Sequence, residues 1–440
     1  MTHPQDLSLR EQARAVRDAD LDALELLDQT FKRLAQRDHL INSTPVRFEE
    51  MSRAMLANAP RGPLYGVPVT VKDMFALPWR GARNATPFEL IPASASGPFR
   101  RLRDAGAVVV GVANQHELGM GTTGTASAYG AMANPWKLDH CAGGSSGGSA
   151  AAVSARLVGA SLASDTGGST RLPSAYCGVV GLKFTYGAVP TDGYFGASTT
   201  FSSPGVVTRD GADARLVAQA MLARVLARDD ARDVRVGVVR SPFWSDVDAE
   251  VAQACESAIR AAGWHVVEVS LENLELMIAS VLALLVAETG TFDTGILRSL
   301  SPVTRAQLLA GMLVPARYVP RADRVRALIR RSVASIFGSV DLLAWPSTAA
   351  PAPMLVEPWV SLPSGRAPVD GSNMRQAVLA NLTGVPGISV PVEAHSSGLP
   401  IGLQLLAPWG EESRLLDAAE HLEEATSRAF VDVAPPMARN

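Results

Sequence analysis

The sequence is poor in cysteine and carries little net charge of either sign. Its 440 residues include three cysteines, which are widely spaced and form no CxxC pair: Cys141, Cys177 and Cys255. This pattern argues against a disulfide framework and a cysteine zinc site, so no metal is expected. The formal net charge is −3 and no basic stripe is present, which argues against a nucleic-acid partner. We expect a reducing, cytoplasmic setting.

Long apolar runs are also absent. The longest nearly unbroken run, residues 276–287, is shorter than the ~20 residues that a membrane-spanning helix needs. Residues 1–18 are polar and charged and lack the apolar core of a secretory signal. We therefore expect a soluble protein without a membrane partner. Hydrophobic residues make up 47% of the chain, enough for a large buried core.

Short β-branched segments alternate with helical patterns along the chain. Strands are predicted at residues 66–73 and 107–112, with a helical stretch at 98–105 between them. A helix is predicted over 149–158, ending at Gly159, and it is followed by a strand at 160–163. This alternation predicts an α/β fold whose sheet is covered by helices on both faces.

The second half continues the pattern without a linker or an internal repeat. Residues 232–271 read as strand, helix and strand, and an apolar helical region follows at 274–337. Further strands and a final amphipathic helix are predicted at 342–345, 388–390, 401–406 and 413–425. We therefore expect one domain, 1–440, with a core at 60–215, a variable and mostly helical cap region at 230–340, and closing strands and helix at 341–430.

Two glycine-rich loops each carry serines. Ser145 and Ser146 lie in Gly-Gly-Ser-Ser-Gly-Gly, residues 143–148. An α/β-hydrolase elbow would need a strand immediately before this loop, and residues 134–142 are not one. A phosphate-binding loop would need a following Gly-Lys-Ser/Thr, which is missing. A plain flexible loop remains open as an alternative.

The second loop places Ser169 directly after Thr166, Gly167 and Gly168. Consecutive backbone N–H groups with little side chain around them can form an oxyanion hole. The order of loop, helix, strand and loop would return the chain to the same sheet edge, so this serine can meet Ser145. Arg171 follows, and we interpret it as a structural clamp rather than a substrate ligand.

Lys72 directly follows the apolar, β-branched run 67–71 within the strand predicted at 66–73. If the strand is central, desolvation lowers the pKa of this lysine and lets it act as a base near neutral pH. The alternative is a surface lysine or an ion pair with the adjacent Asp73. None of the histidines lies in a motif, and we interpret His116 and His140 as loop or packing residues.

Three motifs in order resemble the amidase signature family: residues 66–73, the loop at 143–148 and Asp-Thr-Gly-Gly-Ser-Thr-Arg-Leu-Pro at 165–173. The segments 176–183, 384–391 and 398–404 resemble that family too, leaving only the region near 230–340 generic. The resemblance implies one large α/β/α domain with a central mixed, twisted sheet covered by helices on both faces.

The resemblance also implies a Ser-Ser-Lys triad, with Ser169 as nucleophile, Ser145 as bridging serine on a cis peptide, and Lys72 as base. Ser146 is expected to be a hydrogen-bonding support, with a catalytic role as the alternative. The oxyanion-hole amides would come from Thr166, Gly167, Gly168 and Ser169. The substrate would bind near backbone supplied by Gly119, Met120 and Gly121, with core packing as the alternative for Met120.

Three positions depart from the family pattern. Phe184 stands where proline is usual, Ala188 where arginine is common, and Ser202 where an aspartate is usual. None of them belongs to the implied triad. They predict a rebuilt surface or pocket wall near residues 184–206.

The implied activity is hydrolysis of a linear carboxamide or carbamoyl compound, without a cofactor. The expected partner is a small-molecule amide, and homodimers are frequent in the family. Two alternatives remain: a glutaminase-type subunit of an aminoacyl-tRNA amidotransferase, and a catalytically silent scaffold.

Overall fold

A central sheet of 11 strands organises the computed structural model, which describes residues 3–92, 94–289, 294–426, 430 and 433–438. The strands of the described residues are β1 Val46–Arg47, β2 Pro68–Lys72, β3 Val108–Ala113, β4 Ala133–Asn134, β5 Lys137–Cys141, β6 Ala160–Asp165, β7 Val180–Lys183, β8 Ser203–Thr208, β9 Arg235–Val238, β10 His265–Glu268, β11 Leu342–Pro346, β12 Trp359–Leu362, β13 Gly365–Pro368, β14 Gly387–Ala394 and β15 Pro400–Leu406.

The helices of the described residues are α1 Leu9–Arg17, α2 Ala23–Arg37, α3 Glu49–Ala57, α4 Gly97–Asp104, α5 Gly147–Ser154, α6 Arg171–Cys177, α7 Gly211–Leu222, α8 Ala249–Ala261, α9 Met277–Thr289, α10 Pro302–Met312, α11 Val319–Ile336, α12 Val369–Thr383 and α13 Glu412–Ala425. None of them is long and apolar enough to cross a membrane.

The central sheet is mixed, in the order β1-β3-β2-β6-β8-β7-β14-β15-β11-β9-β10. Strand β2 runs parallel to β3 and β6, whereas β8 is antiparallel to both of its neighbours. Every residue of β2 and β6 is buried. Successive side chains of a strand point to opposite faces, so both faces of the sheet are covered here. The predicted mixed sheet with helices on both faces is confirmed.

The region 230–340 contains two strands as well as helices. Its first part forms β9, α8 and β10, and these two strands extend the central sheet beyond β11. Helices α9, α10 and α11 follow; α9 packs against both α10 and α11, and α9 and α11 also contact α12. Among the described residues of 230–340, the helices that follow β10 are therefore α9, α10 and α11.

The helix predicted over 149–158 is shorter in the structure and begins earlier, as α5. Its end is marked by Arg156, whose φ is 56°, and not by Gly159. A Cβ at Gly159 would lie 3.2 Å from Leu9 Cδ1, so this glycine permits close packing against α1 instead of ending a helix. The following strand, β6, extends two residues beyond the predicted 160–163.

Candidate active site

Lys72 is the last residue of β2 and is fully buried. Its Nζ donates hydrogen bonds to Ser145 Oγ at 2.7 Å and to Ser164 Oγ at 2.8 Å. Burial lowers the pKa of Lys72 to about 7, although the Asp165 carboxylate acts in the opposite direction. A surface position for Lys72 is therefore wrong, and its buried site favours the neutral form of the amine.

The alternative ion pair with Asp73 is also absent. Asp73 Oδ1 instead accepts from Arg80 Nη1 at 2.6 Å, and its Oδ2 accepts from the Ala85 backbone N–H and the Tyr129 hydroxyl. The neighbouring carboxylate is thus fully engaged elsewhere, which leaves Lys72 to the two serines.

Ser145 is buried in the loop that leads into α5, and the Gly144–Ser145 peptide bond is cis. Its carbonyl oxygen accepts from the His116 backbone N–H at 2.9 Å. The turn depends on glycine, because a Cβ on Gly144 would lie 2.6 Å from the Gly121 carbonyl oxygen. The hydroxyl of Ser145 is therefore held at the end of β2 by both the lysine and its own backbone.

Ser146 joins the two glycine-rich loops. Its backbone N–H donates to the Ser169 carbonyl oxygen at 3.1 Å, and its hydroxyl donates to the Ser164 carbonyl oxygen at 3.1 Å. The loops expected to meet at one sheet edge are thus in direct contact. Of the hydrogen bonds among the described residues, none joins the hydroxyl of Ser145 to that of Ser169. Catalytic hydrogen bonds often tighten only when substrate is bound.

The loop before Ser169 is anchored on a buried carboxylate. Asp165 Oδ1 accepts from the Gly168 N–H at 2.8 Å and from Arg171 Nη2 at 2.9 Å, while its Oδ2 accepts from the Thr170 N–H at 3.2 Å. Burial alone would raise the pKa of Asp165, but the Arg171 guanidinium holds it well below the ordinary range.

Arg171 is buried and reaches across the domain. Besides Asp165, its guanidinium donates to Gln404 Oε1, the Ala377 carbonyl oxygen and Asn381 Oδ1. These bonds tie the loop before Ser169 to α12 and β15, so we keep Arg171 as a proposed clamp between them.

The loop amides differ in availability. The Gly168 N–H is already bonded to Asp165, whereas the N–H groups of Thr166, Gly167 and Ser169 have no backbone or side-chain acceptor among the described residues. The four amides that the resemblance implies for an oxyanion hole are therefore not equivalent, and three of them have no acceptor in the part of the chain that the structure describes.

The unusual residues at 184–206 fall in different environments. Ser202 is buried behind the loop, where its hydroxyl is 2.7 Å from Thr166 Oγ1 and accepts from the Ser198 N–H. Phe184 is fully buried, and Ala188 is exposed. Only the departure at Ser202 thus touches a residue of the candidate site.

A cavity of about 200 Å³ opens beside Ser169. Gly167 and Thr166 line one side, and the predicted substrate-binding residues Gly119, Met120 and Gly121 line another. Met120 borders the cavity, and it is partly buried against a small apolar cluster that includes Leu118 and Leu308. The remaining described lining residues come from α9, α10, α12 and two loops, and the sequence singled out none of them: Thr122, Ala197, Leu282, Leu285, Val286, Gln307, Ala310, Asp370 and Met374.

The two histidines near the motifs have different surroundings. His116 is buried with its ring against Gly121, and burial lowers its pKa. His140 lies beside Asp139, with 2.6 Å between Nδ1 and a carboxylate oxygen. Across the described part of the chain, no group of three or more histidine, cysteine or acidic side chains is arranged to hold a metal ion.

Comparison with known proteins agrees with the motifs. The sequence model that describes the Amidase family matches residues 25–416 of this chain. A glutamyl-tRNA(Gln) amidotransferase subunit from Halothermothrix orenii (strain H 168 / OCM 544 / DSM 9562) is 30% identical over 472 residues, covering 96% of this chain and 97% of that protein. The corresponding protein from Synechococcus sp. (strain CC9902) is 33% identical, covering 93% and 94%.

A solved structure of an amidase superposes with a TM-score of 0.90 at 30% identity, over 95% of this chain and 99% of the other. The family match spans the strand of Lys72, both serine loops and the closing strands. The chain therefore belongs to the amidase signature family, whose enzymes hydrolyse C–N bonds.

Proposed function

We propose that this chain cleaves the C–N bond of a linear carboxamide or carbamoyl compound through an acyl-enzyme on Ser169, with Ser145 as proton relay and Lys72 as base. The observation that carries the proposal is the 2.7 Å contact between Lys72 Nζ and Ser145 Oγ at a fully buried lysine. A lysine with a pKa of about 7 can accept a proton near neutral pH.

The steps follow from proton transfer. Neutral Lys72 takes the proton of Ser145, Ser145 takes that of Ser169, and Ser169 Oγ attacks the carbonyl carbon. The open N–H groups of the Ser169 loop stabilise the resulting oxyanion, each by roughly 3 to 4 kcal/mol. The relay then runs in reverse and protonates the leaving nitrogen, the C–N bond breaks, and water hydrolyses the acyl ester.

Ammonia release from a panel of primary amides tests this proposal. Wild type should hydrolyse members of the panel, and Ser169→Ala and Lys72→Ala should lose that activity. The exposed Lys137 lies outside the site, so Lys137→Ala is the matched control for loss of a lysine. Equal rates for wild type and Lys72→Ala would refute the proposed base.

Active-site labelling assigns the nucleophile separately from turnover. A fluorophosphonate should modify wild type on Ser169, as located by peptide mass spectrometry, and should leave Ser169→Ala unmodified. Labelling at another residue would move the nucleophile. Failure of wild type both to label and to hydrolyse any amide would favour a silent scaffold.

A second candidate is a glutaminase-type subunit that releases ammonia to a partner, and the names of the relatives favour it. Glutamine carries an α-carboxylate, for which proteins usually supply arginine or lysine. Among the described residues that line the cavity there is no cationic side chain, and the one charged group is the carboxylate of Asp370. This composition favours a stand-alone amidase.

Affinity purification of the chain from its native cell distinguishes these two functions. Partner-dependent ammonia release from glutamine would support the amidotransferase role. Hydrolysis of simple amides by the isolated chain, with no turnover of glutamine when a co-purified partner is present, would support the amidase.

A further inference from the structure

The cavity beside Ser169 combines an apolar wall with one carboxylate. Helices α9, α10 and α12 contribute hydrocarbon side chains to the wall: Leu282, Leu285, Val286, Ala310 and Met374. Asp370 lies in the first turn of α12, lines the same cavity and is exposed to solvent. A ligand in the cavity can therefore reach this carboxylate.

A directed chain of hydrogen bonds holds the Asp370 carboxylate in place. The hydroxyl of Tyr176 donates to Asn373 Oδ1 at 3.1 Å, and Asn373 Nδ2 donates to Thr122 Oγ1 at 3.1 Å. Thr122 then donates to Asp370 Oδ1 twice, from its hydroxyl at 2.6 Å and its backbone N–H at 2.8 Å. Each donor in such a chain polarises the next.

The supporting residues make this arrangement rigid. Tyr176 and Asn373 are fully buried, and Thr122 is buried within the loop that follows Gly121. The carboxylate is thus fixed from the protein side through one oxygen, Oδ1.

The second oxygen of Asp370 is left for another donor. Asp370 Oδ2 accepts no hydrogen bond from the part of the chain that the structure describes, and no lysine, arginine or histidine there forms an ion pair with this residue. Burial lowers the pKa of the nearby His116, although the carboxylates of Asp370 and Glu117 act in the opposite direction.

We propose that Asp370 is a specificity-determining residue that accepts a hydrogen bond from an ammonium group of the substrate, so that the enzyme selects amides carrying a protonated amine. This inference rests on the proposed amide hydrolysis at Ser169. The hydrocarbon part of the same substrate packs on the wall formed by α9, α10 and α12. A hydrogen bond between ionised partners is about twice as strong as a neutral one, which makes the ammonium group the discriminating feature.

Matched pairs of amides test the inference. Leucinamide and 4-methylpentanamide differ only by an ammonium group beside the carboxamide. 6-Aminohexanamide and heptanamide differ at the far end of the chain, where an ammonium group replaces a methyl group. Wild type should prefer the ammonium member of at least one pair by about ten- to a hundredfold in kcat/KM, the range of one charge-assisted hydrogen bond.

The variant Asp370→Asn keeps the shape of the side chain and removes its charge. The preference within the discriminated pair should fall to about one, mainly through KM. The matched control is Glu275→Gln, which removes an exposed carboxylate outside the cavity and should retain the preference. Melting temperatures of both variants verify that they are folded.

Fluorophosphonate labelling of Ser169 separates failure of this inference from failure of the proposed function. If Ser169 labels but neither pair is discriminated, or if Asp370→Asn lowers both members of a pair equally, the role of Asp370 is overturned and the acyl-enzyme stands. If Ser169 does not label and no amide is hydrolysed, the proposed function fails and this inference fails with it.

Discussion

The backbone N–H of Ser146 donates to the carbonyl oxygen of Ser169 over 3.1 Å, and this bond joins the loop after β5 to the loop after β6. One loop leads into α5 and the other precedes α6. Ser145, which precedes Ser146 in the chain, contacts Lys72. Ser169 borders the cavity. The proton relay that we propose depends on the relative position of the two loops, which this bond helps to maintain.

The rate of amide hydrolysis should depend on the protonation of Lys72. Burial lowers its pKa to about 7, and only the neutral amine can accept a proton. We expect kcat/KM to rise as the pH increases through about 7 and then to level off. A steady-state pH profile from pH 5.5 to 9 measures this, with a neutral amide as substrate so that substrate ionisation does not contribute. A profile that is flat across pH 7 would contradict the assignment of the base.

The ionisation of Lys72 should also make the free energy of unfolding depend on pH. In the unfolded chain Lys72 keeps the ordinary lysine pKa of about 10.4. Between about pH 7 and 10.4 the unfolded chain therefore binds one proton more at this position than the folded protein does. The contribution of Lys72 to the free energy of unfolding rises with pH in this window, by about 1.4 kcal/mol per pH unit.

The variant Lys72→Met isolates that contribution, since methionine has similar length and does not titrate. The difference in unfolding free energy between Lys72→Met and wild type should be largest near pH 7 and shrink toward pH 10. Urea unfolding at several pH values measures it. Lys183 is a second buried lysine whose pKa burial lowers to about 7, so part of the pH dependence of wild type should persist in the Lys72→Met background.

The sequence motifs predicted the proposed catalytic residues better than the residues that line the cavity. Lys72 could be placed because a β-branched strand leads directly into it, and Ser169 because glycines precede it. Thr122 and Asp370 are 248 positions apart and meet only through the packing of α12 beside the loop after Gly121. A single sequence contains no local pattern for such a contact, so this part of the site needed the fold.

Local propensity also misplaced one helix end. Glycine is a residue type that often follows the last turn of a helix, and Gly159 was predicted to do so. In the structure, the lack of a side chain at Gly159 instead leaves space for Leu9 of α1. That reason is tertiary, and it overrides the local preference of glycine for helix ends.

Removal of the Arg171 guanidinium should strongly destabilise the protein. The variant Arg171→Met leaves the Asp165 carboxylate buried without its ion pair, and a broken buried pair typically costs about 3 to 5 kcal/mol. Urea unfolding of wild type and variant measures the loss of unfolding free energy, provided that this free energy depends on urea concentration with the same slope in both proteins. An exposed arginine that pairs with an exposed acid provides the control, and Arg103→Met should change stability by about 1 kcal/mol or less. A similar small effect at Arg171 would show that the proposed clamp does not stabilise the fold.

Gly168 should be essential to the geometry of the loop before Ser169, because a side chain there would clash with neighbouring residues. The effect of this clash can be measured separately from that of backbone strain. Its φ is +104°, and a Cβ there would lie 2.3 Å from Ala377 Cβ and 2.8 Å from Leu172 Cδ1. The variant Gly168→Ala therefore combines an unfavourable φ with a clash against α12. We expect it to lower kcat by about a hundredfold or more, because a displacement of about 1 Å at the reacting groups has an effect of that size.

Gly365 in the hairpin between β12 and β13 offers the matched control. Its φ is +118°, and a Cβ there would meet nothing within 4 Å. Gly365→Ala therefore carries the backbone strain without the clash, and it should lower the melting temperature modestly while kcat stays near that of wild type. Comparable losses of kcat in the two alanine variants would mean that α12 does not set the position of the Ser169 loop.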